Sequence, residues 1–158
     1  MRLATAIVAT VVMAVGLVAA TGGPAQALLP TCDSFTSSYA SEKPQGRAPY
    51  YHVPSIGTDS GNYYCSLVQG NTGWGVVVLQ EALWSCYEQP IDNDGIFGTL
   101  TKEALKNAQR IINQRSDPDI VVDGEYGNQT RRRMLKATFD HANVGRIIFG
   151  QCGFAGAN

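Results

Sequence analysis

Asp94-Gly95-Ile96-Phe97-Gly98-Thr99-Leu100-Thr101 and Asp123-Gly124-Glu125-Tyr126-Gly127-Asn128-Gln129-Thr130 are one pattern written twice. Each is led by a glutamine 14 positions earlier, Gln80 and Gln109. The unit reads Q-x13-D-G-x-[FY]-G-x-x-T, and its two copies are offset by 29 residues. A fixed internal period points to a repeated supersecondary unit. Subtracting the same offset from Thr101 reaches Thr72, just ahead of the first apolar helical stretch.

The pattern has a physical reading as a loop that reverses direction and starts a helix. Gly95 and Gly124 permit positive φ in a tight turn. Asp94 and Asp123 can bond their own turn backbone. Phe97 and Tyr126 can plug the loop into a core, while Gly98 and Gly127 let the chain pass close to a neighbouring helix. Thr72, Thr101 and Thr130 fall near the expected helix starts, where a hydroxyl can accept a free first-turn N–H, worth ~1 kcal/mol. A calcium loop does not fit. Aligning Gly95 with the invariant glycine of an EF-hand puts Pro90 at the first ligand position and Thr101 where a bidentate Glu is needed.

Working outward, three helices are expected. Val76, Leu79, Leu83 and Tyr87 recur at helical spacing in the first. Ala104, Leu105, Ala108, Ile111 and Ile112 do so in the second, and Met134, Leu135, Thr138, Phe139 and Ala142 in the third. The fold class is mainly α, a small three-helix bundle built from two helix–loop repeats. Residues 28–71 are Ser-, Tyr-, Gly- and Pro-rich and are expected to be irregular. Tyr50–Val53 and Asn62–Cys65 are candidates for a short hairpin about a Gly57-to-Gly61 turn. The expected organisation is 1–27 signal peptide, 28–71 N-terminal segment, 72–142 helical domain and 143–158 tail.

Arg2, the uncharged apolar stretch Ile7–Ala20 and Ala25-Gln26-Ala27 read as a secretory signal cleaved after Ala27. Leu29-Pro30-Thr31-Cys32 is a poor lipobox. The remainder then carries eleven basic and thirteen acidic residues, against a nucleic-acid surface, which needs a basic patch. The expected product is secreted, extracellular or cell-wall associated, with no membrane association after cleavage. Export makes two disulfides the default for Cys32, Cys65, Cys86 and Cys152. Three pairings are possible, and Cys65–Cys86 with Cys32–Cys152 is the favoured one. Each bridge would contribute ~2–4 kcal/mol. No metal site is expected, because there is no C-x-x-C and only His52 and His141 could assist.

The stretch from about Gly73 to Thr138 resembles the three-helix peptidoglycan-binding domain that bacteria append to cell-wall hydrolases. Val78-Leu79-Gln80-Glu81-Ala82-Leu83, Ile91-Asp92-Asn93-Asp94-Gly95-Ile96-Phe97-Gly98 and Thr101-Lys102-Glu103-Ala104-Leu105 with Gln109 carry the likeness. So does Val122-Asp123-Gly124-Glu125-Tyr126-Gly127 with Thr130. The resemblance implies non-covalent binding to stem peptide or glycan; a monomer without a cofactor is expected. The implied ligand residues are Ile96, Phe97, Gln109, Tyr126, Asn128 and Arg131. Packing competes for Phe97 and Tyr126, and satisfaction of loop backbone competes for Gln109. Arg131-Arg132-Arg133 at a helix N-terminus would oppose the macrodipole, with Asp123 and Glu125 as the simplest offset.

An enzyme is not expected. There is no H-E-x-x-H or G-x-S-x-G, and four paired thiols leave no Cys nucleophile. Glu42, Glu81, Glu88 and Glu103 are not placed opposite one another by anything in the sequence. The alternatives are a small cell-wall hydrolase that would depend on His52 or His141, and an extracellular interaction or inhibitor protein. The latter would expose a patch around Tyr50, Tyr51, Tyr63 and Tyr64.

Overall fold

The computed structural model describes residues 29–39, 50–115, 119–139 and 147–153. The signal-peptide reading of residues 1–27, as well as His141 and Ala142, lies outside them. The elements in chain order are β1 (Ser34–Tyr39), β2 (Tyr50–Ser55), α1 (Trp74–Tyr87), α2 (Thr99–Asn113), α3 (Asn128–Arg133), β3 (Lys136–Phe139) and β4 (Ile147–Gly153).

Helix α1 is the centre of the molecule. It touches all four strands on one side and α2 on the other. Its buried residues accordingly cover about half of its circumference: Val76, Val78, Leu79, Ala82, Leu83 and Tyr87. Helix α2 has one neighbour face and is amphipathic, burying Thr101, Ala104, Leu105, Ala108, Gln109 and Ile112. Phe97 and Tyr126, each 1 % exposed, fill the space between helices from the two repeat loops. Burial of each large apolar side chain contributes roughly 1.5–3 kcal/mol.

The four strands form one antiparallel sheet in the order β1-β2-β3-β4. This corrects two expectations. Residues 28–71 are not simply irregular. Tyr50–Ser55 is a strand, but its partners are Ser34–Tyr39 and β3 rather than Asn62–Cys65, which forms no strand. The third helix is also shorter than its apolar spacing suggests. It ends at Arg133; Met134 turns extended, and Lys136–Phe139 pairs with β2 and β4. Leu135 N donates to the side-chain hydroxyl of Tyr87 at 2.7 Å, which fixes this exit against the end of α1. Short apolar runs fit either period, and here the open sheet edge decides.

All four cysteines are paired, but as Cys32–Cys65 and Cys86–Cys152. The favoured pairing is therefore corrected. Cys32 lies beside residue 65 because Thr31 and Ser66 form a parallel bridge, with Cys32 N donating to Ser66 O at 3.1 Å. Cys86 sits in the last turn of α1, over β4 and Cys152. Each bridge thus joins neighbouring backbone: one within the N-terminal segment, the other from α1 to the last strand.

Candidate functional site

The repeat residues form two copies of one hydrogen-bond network. In the first, Gln80 Nε2 donates to Asp94 Oδ1 (2.8 Å), Ile96 O (3.2 Å) and Thr101 Oγ1 (3.2 Å). Gln80 Oε1 accepts from Gly95 N at 2.8 Å. In the second, Gln109 Nε2 donates to Asp123 Oδ1 (2.9 Å), Glu125 O (3.1 Å) and Thr130 Oγ1 (3.2 Å), and Gln109 Oε1 accepts from Gly124 N at 2.9 Å. Asp94 and Asp123 also accept from the backbone N–H two residues on. The bond from Gln80, then that from Ile96 N, holds the Asp94 carboxyl below its ordinary range.

This network explains the spacing better than capping does. No side chain caps α1, α2 or α3; their N-caps are Gly73, Gly98 and Gly127. Thr101 and Thr130 lie inside the first helical turn, and each hydroxyl donates back to the loop carbonyl of Ile96 or Glu125. Thr72 is exposed and bridges Ile96 by backbone. Nor do Gly98 and Gly127 serve close approach: a Cβ at either would meet nothing within 4 Å. The demanding glycines are Gly95 and Gly124, at φ 70° and 72°. A Cβ on Gly124 would lie 2.7 Å from Lys102 Cγ and 3.0 Å from its carbonyl oxygen.

The rigid loops border two clefts related by the repeat. The first, 250 Å³, is lined by Asp94, Ile96, Gly98, Thr99, Leu100 and Thr101, with Ile91 and Asp92 at its edge. The second, 370 Å³, is lined by the residues 29 positions on: Asp123, Glu125, Gly127, Asn128, Gln129 and Thr130. Leu29, Ser66 and Val68 close it from the N-terminal segment. The clefts share a backbone frame and differ in chemistry. Ile96 and Leu100, 55 % and 76 % exposed, make the first apolar. Glu125 and Gln129 stand in their places in the second.

The six sequence candidates separate accordingly. Ile96 lines the first cleft and Asn128 the second, where its Oδ1 is buried with no hydrogen-bond partner. Phe97, Gln109 and Tyr126 are buried in the frame that supports the two loops. Arg131 is only 7 % exposed and lines neither cleft; its guanidinium lies over the Tyr63 ring, 5.4 Å from the centroid. Because α3 is so short, Arg131, Arg132 and Arg133 occupy its last turn, where cations complement the macrodipole. No salt bridge to Asp123 or Glu125 is needed, and the ion pair among the described residues is Lys106–Glu103.

Leu100, Glu125 and Gln129 were missed by the sequence reading. The 29-residue offset carries Ile96 onto Glu125, and Leu100 and Gln129, which follow Thr99 and its counterpart Asn128, onto each other. The four tyrosines do not make one exposed patch: Tyr64 is 66 % exposed, but Tyr51 is buried and Tyr63 underlies Arg131. Burial pushes the His52 imidazole down to about 4, against the opposing pull of Asp59. Its ring lies tilted against those of Phe35 and Tyr50, with centroids 4.3 and 5.3 Å away. Among the described residues no three His, Cys, Asp or Glu side chains gather as metal ligands, and no helix is long and apolar enough to cross a membrane.

Residues 72–134 match the family model of the putative peptidoglycan binding domain, the family that the repeat resembles. Comparison with curated proteins and with solved structures gave no match.

Proposed function

We propose that this protein is a secreted, non-catalytic module that attaches to cell-wall peptidoglycan. The observation that carries this reading is the family match at residues 72–134, which spans both repeat networks and most of both clefts. Signal removal after Ala27 and a wall-binding unit at 72–142 belong to the same proposal.

The supporting chemistry is that of a pre-formed reader with one apolar and one polar, acidic cleft. The network gives each loop a single conformation, so little entropy is lost when a ligand docks. The second cleft offers Asn128, Gln129 and Glu125 for amide and hydroxyl groups of a stem peptide or glycan. The first offers Ile96 and Leu100 for methyl groups. Co-sedimentation of the oxidised residue 28–158 chain with purified sacculi tests the reading. Pelleting with no soluble fragments supports it, and a protein left in the supernatant overturns it.

A further inference from the structure

We infer that the pocket between α1 and the loop following it is a saccharide subsite, in which Trp84, Glu81 and Asn93 take a neutral N-acetylated hexose of a glycan strand. The identity of the polymer rests on the wall-binding reading above. The pocket, 300 Å³, is lined by Glu81, Trp84, Ile91, Asp92 and Asn93. It shares Ile91 and Asp92 with the first repeat cleft, so the two are neighbours.

Three features point to a sugar. Trp84 is 42 % exposed and borders the pocket, presenting a flat apolar surface with a polar edge. The C–H face of a pyranose fits such a surface. Glu81, three residues earlier on α1, shares that helix face. Its Oε1 accepts from Asn93 Nδ2 at 3.2 Å, while Oε2 is buried with no hydrogen-bond partner. Burial raises the carboxyl's pKa. An unpartnered buried acceptor is costly, and a sugar hydroxyl or acetamido N–H offsets that cost. Asn93 retains a second N–H and its carbonyl oxygen for the same ligand.

The charge pattern selects which part of the wall enters. Glu81 and Asp92 repel carboxylates and phosphates, which excludes stem-peptide termini and lactyl acids and favours the neutral aminosugar. The site is also pre-positioned. Gln80, next to Glu81, bonds Asp94 and Gly95, so the loop carrying Asn93 is fixed to α1 before any ligand arrives.

The test uses the oxidised chain and a β-1,4-linked N-acetylglucosamine tetramer, read by calorimetry, with sacculus pelleting run in parallel. Trp84→Ala and Glu81→Ala are expected to weaken tetramer binding by roughly tenfold or more, as loss of an aromatic anchor does. Trp74→Ala, at the other tryptophan, leaves it unchanged. Thermal melts report folding, and Glu81→Ala carries the test if Trp84→Ala does not fold. No tetramer binding by the wild type, or binding unchanged in both variants, overturns the subsite. If the wild type still pellets with sacculi, the wall-binding reading survives that loss; if it does neither, both fall.

Discussion

Gln109 donates to Asp123 at 2.9 Å across fourteen residues of chain, and Gln80 donates to Asp94 at 2.8 Å across the same separation. A buried amide with all its polar atoms satisfied stabilises a loop only while every partner remains. Gln109→Leu strands Gly124 N and removes three donor bonds. The expected cost is about 2–4 kcal/mol, and Gln80→Leu is expected to cost a similar amount. Urea unfolding of the two variants checks this. A change below about 0.5 kcal/mol, typical of surface sites, would contradict it.

Much of this was legible in the sequence because the repeat fixes positions in register. The turn roles of Asp94, Asp123, Gly95 and Gly124, the apolar faces of α1 and α2, and the plugging by Phe97 and Tyr126 all follow from spacing; the close-approach reading of Gly98 and Gly127 does not hold. The threonines were misread because capping is a local rule, whereas Thr101 and Thr130 answer to a glutamine 21 residues earlier. Lys136–Phe139 was read as helix because its strand partner is Tyr50–Tyr51, far away in sequence. Four cysteines leave three pairings, and only the Thr31–Ser66 bridge and the docking of β4 on α1 choose between them.

The disulfide assignment gives a second prediction. Peptide mapping without reduction should yield Cys32 linked to Cys65 and Cys86 linked to Cys152. The closed loops span 33 and 66 residues. A doubling of loop length adds only about 0.6 kcal/mol of unfolded-state constraint. Removing the Cys86–Cys152 pair is thus expected to lower Tm only slightly more than removing Cys32–Cys65. A Cys65–Cys86 peptide would contradict the assignment.

Lys136 sets a pH dependence. Burial, reinforced by Arg131, pushes its ammonium down to about 7 from the ordinary 10.5. Its Nζ donates to the carbonyls of Arg131 and Met134. Between those two pH values the unfolded chain holds a proton that the folded chain has released, so stability rises with pH across that window and is lost again as pH falls through 7. The gain should reach on the order of 3 kcal/mol. Above pH 10 Tyr87 acts oppositely, because burial raises its phenol to about 12. Denaturant titrations from pH 6.5 to 9.5 should show the rise in wild type and a flat profile in Lys136→Met. A wild-type profile equally flat would contradict it.

The exposed cleft residues should separate from the frame residues in binding assays. Asn128→Ala and Leu100→Ala are expected to weaken sacculus binding several-fold with Tm nearly unchanged. Arg131→Ala, at a buried side chain stacked over Tyr63, is expected to lower Tm first. Binding isotherms paired with thermal melts check this; unaltered binding in both cleft variants would move the contact surface elsewhere.

The central claim is attachment to the wall without cleavage. It is tested most directly by co-sedimenting the oxidised residue 28–158 chain with purified sacculi across a salt series, with the supernatant assayed for muropeptides. The account predicts pelleting that survives added salt, because hydrogen bonding and shape rather than long-range charge carry the contact, and no released fragments. A chain that stays in the supernatant, or one that liberates muropeptides, would contradict it.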